Sequence, residues 1–216
     1  MNIICGPIHD PRSLSLSLPH YATLHPSIEK IYLKSNEITK NHSIGVLLSG
    51  GIDSAVLLFL ILLENINTGN NFKINSYTMK RKDGSFDVVH DVYNFIMTKL
   101  SLPKDPLIVV GDNTLSELAQ VNSGIIDVLK YNDFVYVGII DNRPEHSIGW
   151  VRPILKESFR IKYPFLNLQK SHVIDILYKY NLDTLLTMTH SCNFPTICGE
   201  CNGCRERAWG IEQLGR

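Results

Sequence analysis

Ile44-Gly45-Val46-Leu47-Leu48-Ser49-Gly50-Gly51-Ile52-Asp53-Ser54-Ala55 is the stretch on which the fold turns. Its first five residues make a short, continuous apolar run that reads as a buried central strand. From Ala55 to Leu63 every position is apolar, which reads as a well-buried helix. Ser49-Gly50-Gly51-Ile52-Asp53-Ser54 therefore lies where a strand turns into a helix. Two consecutive glycines let the backbone turn tightly and bring successive N–H groups close to a ligand. The helix start adds the positive end of its dipole and unpaired donors, so this loop suits an anion such as phosphate.

The loop is not of the Walker A type, which ends in a lysine where this chain has Asp53. An aspartate facing polyphosphate makes sense with Mg²⁺ between them, or as a cap on the helix. The Ser-Gly-Gly-x-Asp-Ser pattern resembles the pyrophosphate loop (PP-loop) of the N-type ATP pyrophosphatases, which split ATP into AMP and pyrophosphate. That resemblance implies the α/β fold of the adenine-nucleotide alpha hydrolases.

The rest of the chain supports that class. Ile74–Lys80 reads as a second strand, followed by a turn at Lys82-Asp83-Gly84 and a helix over Phe86–Leu100. Leu107–Gly111 reads as a third strand. Thr114-Leu115-Ser116-Glu117 has the form of a capping box opening a helix to Tyr131. Phe134–Ile140 is continuously apolar, as a strand covered on both faces should be. Asp141–Tyr163 is less regular and reads as a substrate-facing loop, and Leu168–Tyr180 as a further helix. Alternating strands and helices predict a doubly wound parallel sheet with ligands beyond the carboxyl ends of its strands. Three segments follow: an arm or extension over 1–42, with a short helix near Ser27–Lys40, an ATP-binding α/β domain over 43–189, and a cysteine loop with a C-terminal helix over 190–216.

The chain has 216 residues, and its 21 basic residues balance 21 acidic ones. No overall field draws in nucleic acid or anionic lipid, which argues against an RNA partner. No signal-like segment opens the sequence, and Ala55–Leu63 is too short to span a bilayer. The expectation is a cytoplasmic protein without a membrane partner.

Four of the five cysteines fall between Cys192 and Cys204. Cys192-x5-Cys198-x2-Cys201-x2-Cys204 supplies the four thiolates that a closed tetrahedral Zn²⁺ site takes. An iron–sulfur cluster is the alternative, but ferredoxin spacing calls for another cysteine soon after Cys204, and none follows. Cys5 stands apart and reads as a buried free thiol.

Together, the two motifs resemble one family, the 7-cyano-7-deazaguanine synthases of queuosine biosynthesis. Pro164-Phe165, Leu168, Lys170, Thr189-His190-Ser191-Cys192 and the run from Cys198 to Arg207-Ala208 follow that family's order. The resemblance covers residues 44–212. It implies ATP-dependent adenylation of the carboxylate of 7-carboxy-7-deazaguanine, displacement of AMP by ammonia to give an amide, and a second activation giving the nitrile. It assigns ATP to Leu48, Ser49, Gly50, Gly51, Ile52, Asp53, Ser54 and Ala55, with Asp53 toward Mg²⁺. Asp53, Ser54 and Lys170 would be catalytic, and Cys192, Cys198, Cys201 and Cys204 would hold Zn²⁺. Lys170 reads either as a phosphate partner or as a solvated lysine at a helix start. Arg207 reads as a brace of the cysteine loop, and His190 as packed.

The chain departs from the family's pattern at three places. Tyr77-Thr78-Met79-Lys80-Arg81-Lys82 replaces a Tyr-Gly-Gln-Arg-His-like segment, and Gln120-Val121-Asn122-Ser123 stands where Pro-Gly-Arg-Asn is usual. Asp141-Asn142-Arg143-Pro144-Glu145 replaces the stretch that reads the deazaguanine, leaving Asp141 and Arg143 as substrate candidates. The resemblance implies a small-molecule deazaguanine and ammonia as partners, and a homodimer. The alternative is a paralogue that passes the activated deazaguanine to a protein amine, as in antiviral defence; a tRNA-modifying relative and a zinc scaffold without activity are further readings.

Overall fold

The computed structural model describes residues 42–69, 72–140 and 155–215. The arm up to residue 41, Cys5, Asp141 and Arg143 lie outside the described residues.

Strand β1 (Ser43–Leu47) leads into helix α1 (Ile52–Thr68). Then come β2 (Lys73–Met79), α2 (Ser85–Lys99), β3 (Ile108–Val110), α3 (Glu117–Leu129) and β4 (Phe134–Val137). The chain continues through β5 (Ile161–Lys162), α4 (Lys170–Lys179), α5 (Thr184–Met188) and α6 (Asn202–Glu212). Among the described residues the strands form one sheet in the order β3-β2-β1-β4-β5. Every pairing is parallel, with Leu47 opposite both Tyr77 and Val137. This is the doubly wound parallel sheet the sequence predicts.

Alternation along β1 and β4 explains the layers. Ile44, Val46, Phe134 and Tyr136 face one core, built with α1, α2, α4 and α5. Leu47, Val135 and Val137 face the other, which Ile125 and Val128 of α3 close. A strand covered on both faces must be apolar at every position, which is why period-2 patterning is absent here. Eight consecutive α1 residues from Ala55 to Leu62 are buried, since the helix lies between the sheet and α4 with α5. Strand order reverses direction at β1, with β2 on one side and β4 on the other, so the crevice above their carboxyl ends is where such sheets take ligands.

Three expectations need correction. The segment read as irregular up to Tyr163 contains β5, paired with β4 through Val135–Ile161 and Tyr136–Lys162. A two-residue edge strand is too short to leave a periodic signal. The capping box at Thr114 does not form: Ser116 is the N-cap of α3, and Thr114 turns back to Asp112, its N–H and hydroxyl donating to Oδ1 at 2.9 and 2.6 Å. Short polar side chains offer the backbone such local turns in competition with helix caps. Finally, α1 starts at Ile52 rather than Ala55, so Asp53 belongs to its first turn.

Candidate active site

Gly50 makes the turn after β1 with φ of 85°, and a Cβ there would stand 2.1 Å from the carbonyl oxygen of Ser85. A glycine is required on both counts, and the loop lies directly on the start of α2. Two serines brace it from within. The Ser49 N–H donates to Ser54 Oγ at 3.0 Å, the Gly51 N–H to Ser49 Oγ at 3.2 Å, and the Ser54 hydroxyl to the Gly51 carbonyl at 3.1 Å. The hydroxyls themselves are 2.9 Å apart. The loop is thereby preformed, with the first-turn amides of α1 aimed at the crevice, as at any helix start.

Asp53 does not cap α1, whose N-cap is Gly51 without a side-chain bond. Its carboxylate instead accepts two bonds from Lys170 Nζ, at 2.7 and 2.6 Å. Lys170 is 4% exposed, so the solvated reading of that residue is wrong. Its ammonium also lies 3.9 Å from Glu206 Oε2, on α6. A Cβ at Gly210 would come within 2.8 Å of Lys170 Cγ, so the missing side chain lets α6 close over the lysine stem.

These groups line a cleft of about 260 Å³. Ser49, Gly51, Ile52, Asp53 and Lys170 contribute to it, while Leu48 and Ala55 are fully buried in the core and can serve a ligand only through their backbone. Sequence reasoning missed Arg81, Asp83, Glu117 and Glu206, which also line the cleft. Arg81 donates to Asp83 Oδ2 from Nε at 2.8 Å and to Glu117 Oε1 from Nη2 at 2.6 Å. Asp83 in turn accepts from the N–H and hydroxyl of Ser85 at 3.0 and 2.6 Å. Burial alone would raise the Asp83 carboxyl, but Arg81 and Ser85 hold it below the usual carboxylate range. Arg81 follows the carboxyl end of β2, a position that doubly wound sheets expose to ligand, and that was the available signal. Among these residues four carboxylates face two cations, an excess that suits a divalent cation alongside polyphosphate.

The cysteine loop forms one wall. The Sγ atoms of Cys192, Cys198, Cys201 and Cys204 lie within 4.8 Å of one another. A tetrahedral zinc with Zn–S of ~2.3 Å needs sulfurs roughly 3.8 Å apart, and Cys192 is 3.6 Å from Cys198 and 3.7 Å from Cys201. Backbone N–H groups of Phe194 and Cys198 point at Cys192 Sγ, that of Asn193 at Cys201 Sγ, and that of Cys201 at Cys198 Sγ, all at 3.3–3.4 Å. Donors of this kind favour thiolates. Burial opposes charge on Cys201, but the amides of Asn193 and Cys204 and the neighbouring thiols bring it down to about 6. Burial and the Cys201 sulfur push Cys204 up to about 12. The four thiols, within 4.8 Å of one another, fit a closed metal site.

The loop is tied to the rest of the site. The His190 N–H donates to the Gly50 carbonyl at 3.0 Å, and His190 Nε2 meets the Phe194 carbonyl at 2.8 Å. Gly84 has φ of 87°, and a Cβ there would lie 2.9 Å from Pro195 Cα, so the cysteine loop rests on the β2–α2 turn. Arg207 donates from Nη1 to the Thr189 carbonyl at 2.9 Å and from Nη2 to Thr189 Oγ1 at 3.2 Å, the bracing role expected of it. Burial lowers its guanidinium from the ordinary value, against the pull of Cys204 and Asp53.

Several known proteins resemble this chain. The family described as queuosine biosynthesis protein QueC matches residues 130–215. The 7-cyano-7-deazaguanine synthase of Nautilia profundicola is 23% identical over 207 residues, covering 79% of this chain and 93% of that protein. That of Prochlorococcus marinus subsp. pastoris is 26% identical over 210 residues, covering 78% and 92%. The chain is similar to these synthases at 23–26% identity. Among solved structures, the U34-tRNA thiolase NcsA from Methanococcus maripaludis, with its 4Fe–4S cluster, is similar at a TM-score of 0.45 and 15% identity, covering 84% of this chain and 74% of that one. No helix of the described residues is long and apolar enough to cross a membrane.

Proposed function

We propose that the chain is an ATP-dependent carbon–nitrogen ligase that activates the carboxylate of 7-carboxy-7-deazaguanine. The preformed Ser49–Ser54 loop with the Asp53–Lys170 pair at its mouth carries this reading. A carboxylate has no leaving group and is a poor electrophile. Attack of its oxygen on the α-phosphorus of ATP forms a new P–O bond, breaks the bond to the bridging oxygen and expels pyrophosphate. Ammonia then attacks the acyl carbon, AMP departs, and a proton is lost to give the amide. A second ATP adenylates the amide oxygen with release of pyrophosphate, and loss of AMP and of both amide protons leaves the nitrile.

This chain's residues act by holding and neutralising, which is most of what phosphate chemistry asks of a protein. The first-turn amides of α1 and the hydroxyls of Ser49 and Ser54 would cradle the pyrophosphate. Lys170 would offset its charge, and Asp53 would face Mg²⁺, whose role is to neutralise the departing phosphates. Arg81 offers a guanidinium for a phosphate or carboxylate. Zn²⁺ on the four cysteines would be structural, with its chemistry confined to fixing the loop against Gly50 and Gly84.

Transfer of the activated deazaguanine to a protein amine is the second reading, favoured by the departures at Tyr77–Lys82 and Gln120–Ser123. Incubation with ATP, Mg²⁺, 7-carboxy-7-deazaguanine and ammonium, with product masses followed, separates the two. The nitrile is the expected product. AMP with a mass added to protein would favour the second reading, and no substrate-dependent AMP would remove both.

A further inference from the structure

We propose that Glu206 is a positioning residue that shares Lys170 with Asp53, releasing Asp53 for a divalent cation when a nucleotide enters the cleft. The inference rests on the nucleotide reading of the Ser49–Ser54 loop. One ammonium here stands between two carboxylates, 2.6 Å from Asp53 and 3.9 Å from Glu206. Burial differs among the three side chains: Lys170 is 4% exposed, Glu206 6% and Asp53 23%. Asp53 is thus the partner that solvent and a hydrated cation reach more readily, while Glu206, though it lines the cleft, is nearly covered. A buried ammonium deprived of its counter-charge is strongly unfavourable. With Glu206 in place, Lys170 keeps an anion when Asp53 turns to a cation, and its Nζ needs to move little to do so. Without that charge, cation binding at Asp53 would strand the lysine.

Glu206 is held where it can do this. It lies two residues beyond Cys204, near the start of α6, and Gly210 one turn later admits the Lys170 stem. The loop that gathers the four thiols therefore also sets the position of the carboxylate, which no local motif in the sequence announces.

The test titrates Mg²⁺ against binding of a fluorescent, non-hydrolysable ATP analogue to the full chain, with bound metal and thermal midpoint measured for each variant. For Glu206→Gln the Mg²⁺ concentration at half-maximal binding is expected to rise about tenfold, or ~1.4 kcal/mol. Glu206→Asp keeps the charge but draws it back, and a rise of about threefold is expected. Should Glu206→Gln fail to fold, the aspartate variant alone decides. Variants that lower thermal midpoint or metal content but leave the Mg²⁺ midpoint at the wild-type value would overturn the proposal. Wild-type protein that binds no nucleotide at any Mg²⁺ concentration would overturn the nucleotide reading and this inference with it.

Discussion

The backbone N–H of His190 donates to the carbonyl of Gly50 across 3.0 Å, joining the approach to the first cysteine to the middle of the glycine loop. The two residues are far apart in sequence, and the bond makes one unit of two motifs. With Pro195 against Gly84, and α6 over Lys170, the cysteine loop walls the cleft from which a phosphate-binding loop would work.

Metal removal should therefore be felt at the nucleotide site. Chelation is expected to lower the thermal midpoint, open residues 190–204 to proteolysis and weaken binding of an ATP analogue. Cys198→Ser should behave likewise. Native mass spectrometry and elemental analysis are expected to find one zinc per chain, and a visible charge-transfer band with iron would replace zinc by a cluster.

Gly50→Ala should cost more than its conformation alone explains. An alanine at positive φ costs about 1–2 kcal/mol. Gly69, with φ of 61° and no atom within 4 Å of where a Cβ would stand, gives the control, whereas at Gly50 the Ser85 carbonyl stands in the way at 2.1 Å. In urea unfolding Gly69→Ala is expected to show the conformational cost and Gly50→Ala a clearly larger one, with nucleotide binding lost only in the latter. Equal losses would mean the loop yields around the new methyl group.

Asp83 ties stability to pH. Its carboxyl lies below the ordinary value in the folded chain, so the unfolded chain takes up the proton first. The contribution is complete above the unfolded value of about 3.9, and is lost as pH falls through the folded one. Arg81→Gln should remove much of that depression, leaving stability lower at pH 7 and closing the gap to wild type in acid. A gap that stays constant with pH would assign the effect of Arg81 to packing.

Much of this was legible in the residues themselves. The run Ile44–Leu48, the two glycines and the apolar stretch after them imply a strand, a turn and a helix by local physics, and cysteine spacing implies a metal loop in the same way. The remainder depended on distance in sequence. Arg81, Glu117 and Glu206 look like ordinary surface charges until β2, α3 and α6 bring them to one cleft. Lys170 could be read as solvated because nothing near it announces Gly210, whose missing side chain lets α6 bury it. β5 was missed because a pair of residues carries no period, and Thr114 because Asp112 outcompeted the helix for its hydroxyl.

Asp53→Asn should separate binding from chemistry. Loss of its charge leaves Glu206 as the carboxylate beside Lys170 among the described residues, and substrate-dependent AMP release is expected to fall about 100-fold or more. The thermal midpoint should change far less, since the amide oxygen of an asparagine at this position can still accept a bond from the ammonium. AMP release at the wild-type rate would remove Asp53 from the machinery.

The most direct measurement is exchange of labelled pyrophosphate into ATP, run without ammonium so that the reaction halts at the acyl-adenylate. Exchange that requires 7-carboxy-7-deazaguanine and Mg²⁺ is the expected result. Exchange absent, or equally fast without the carboxylate, would contradict carboxylate activation at this loop.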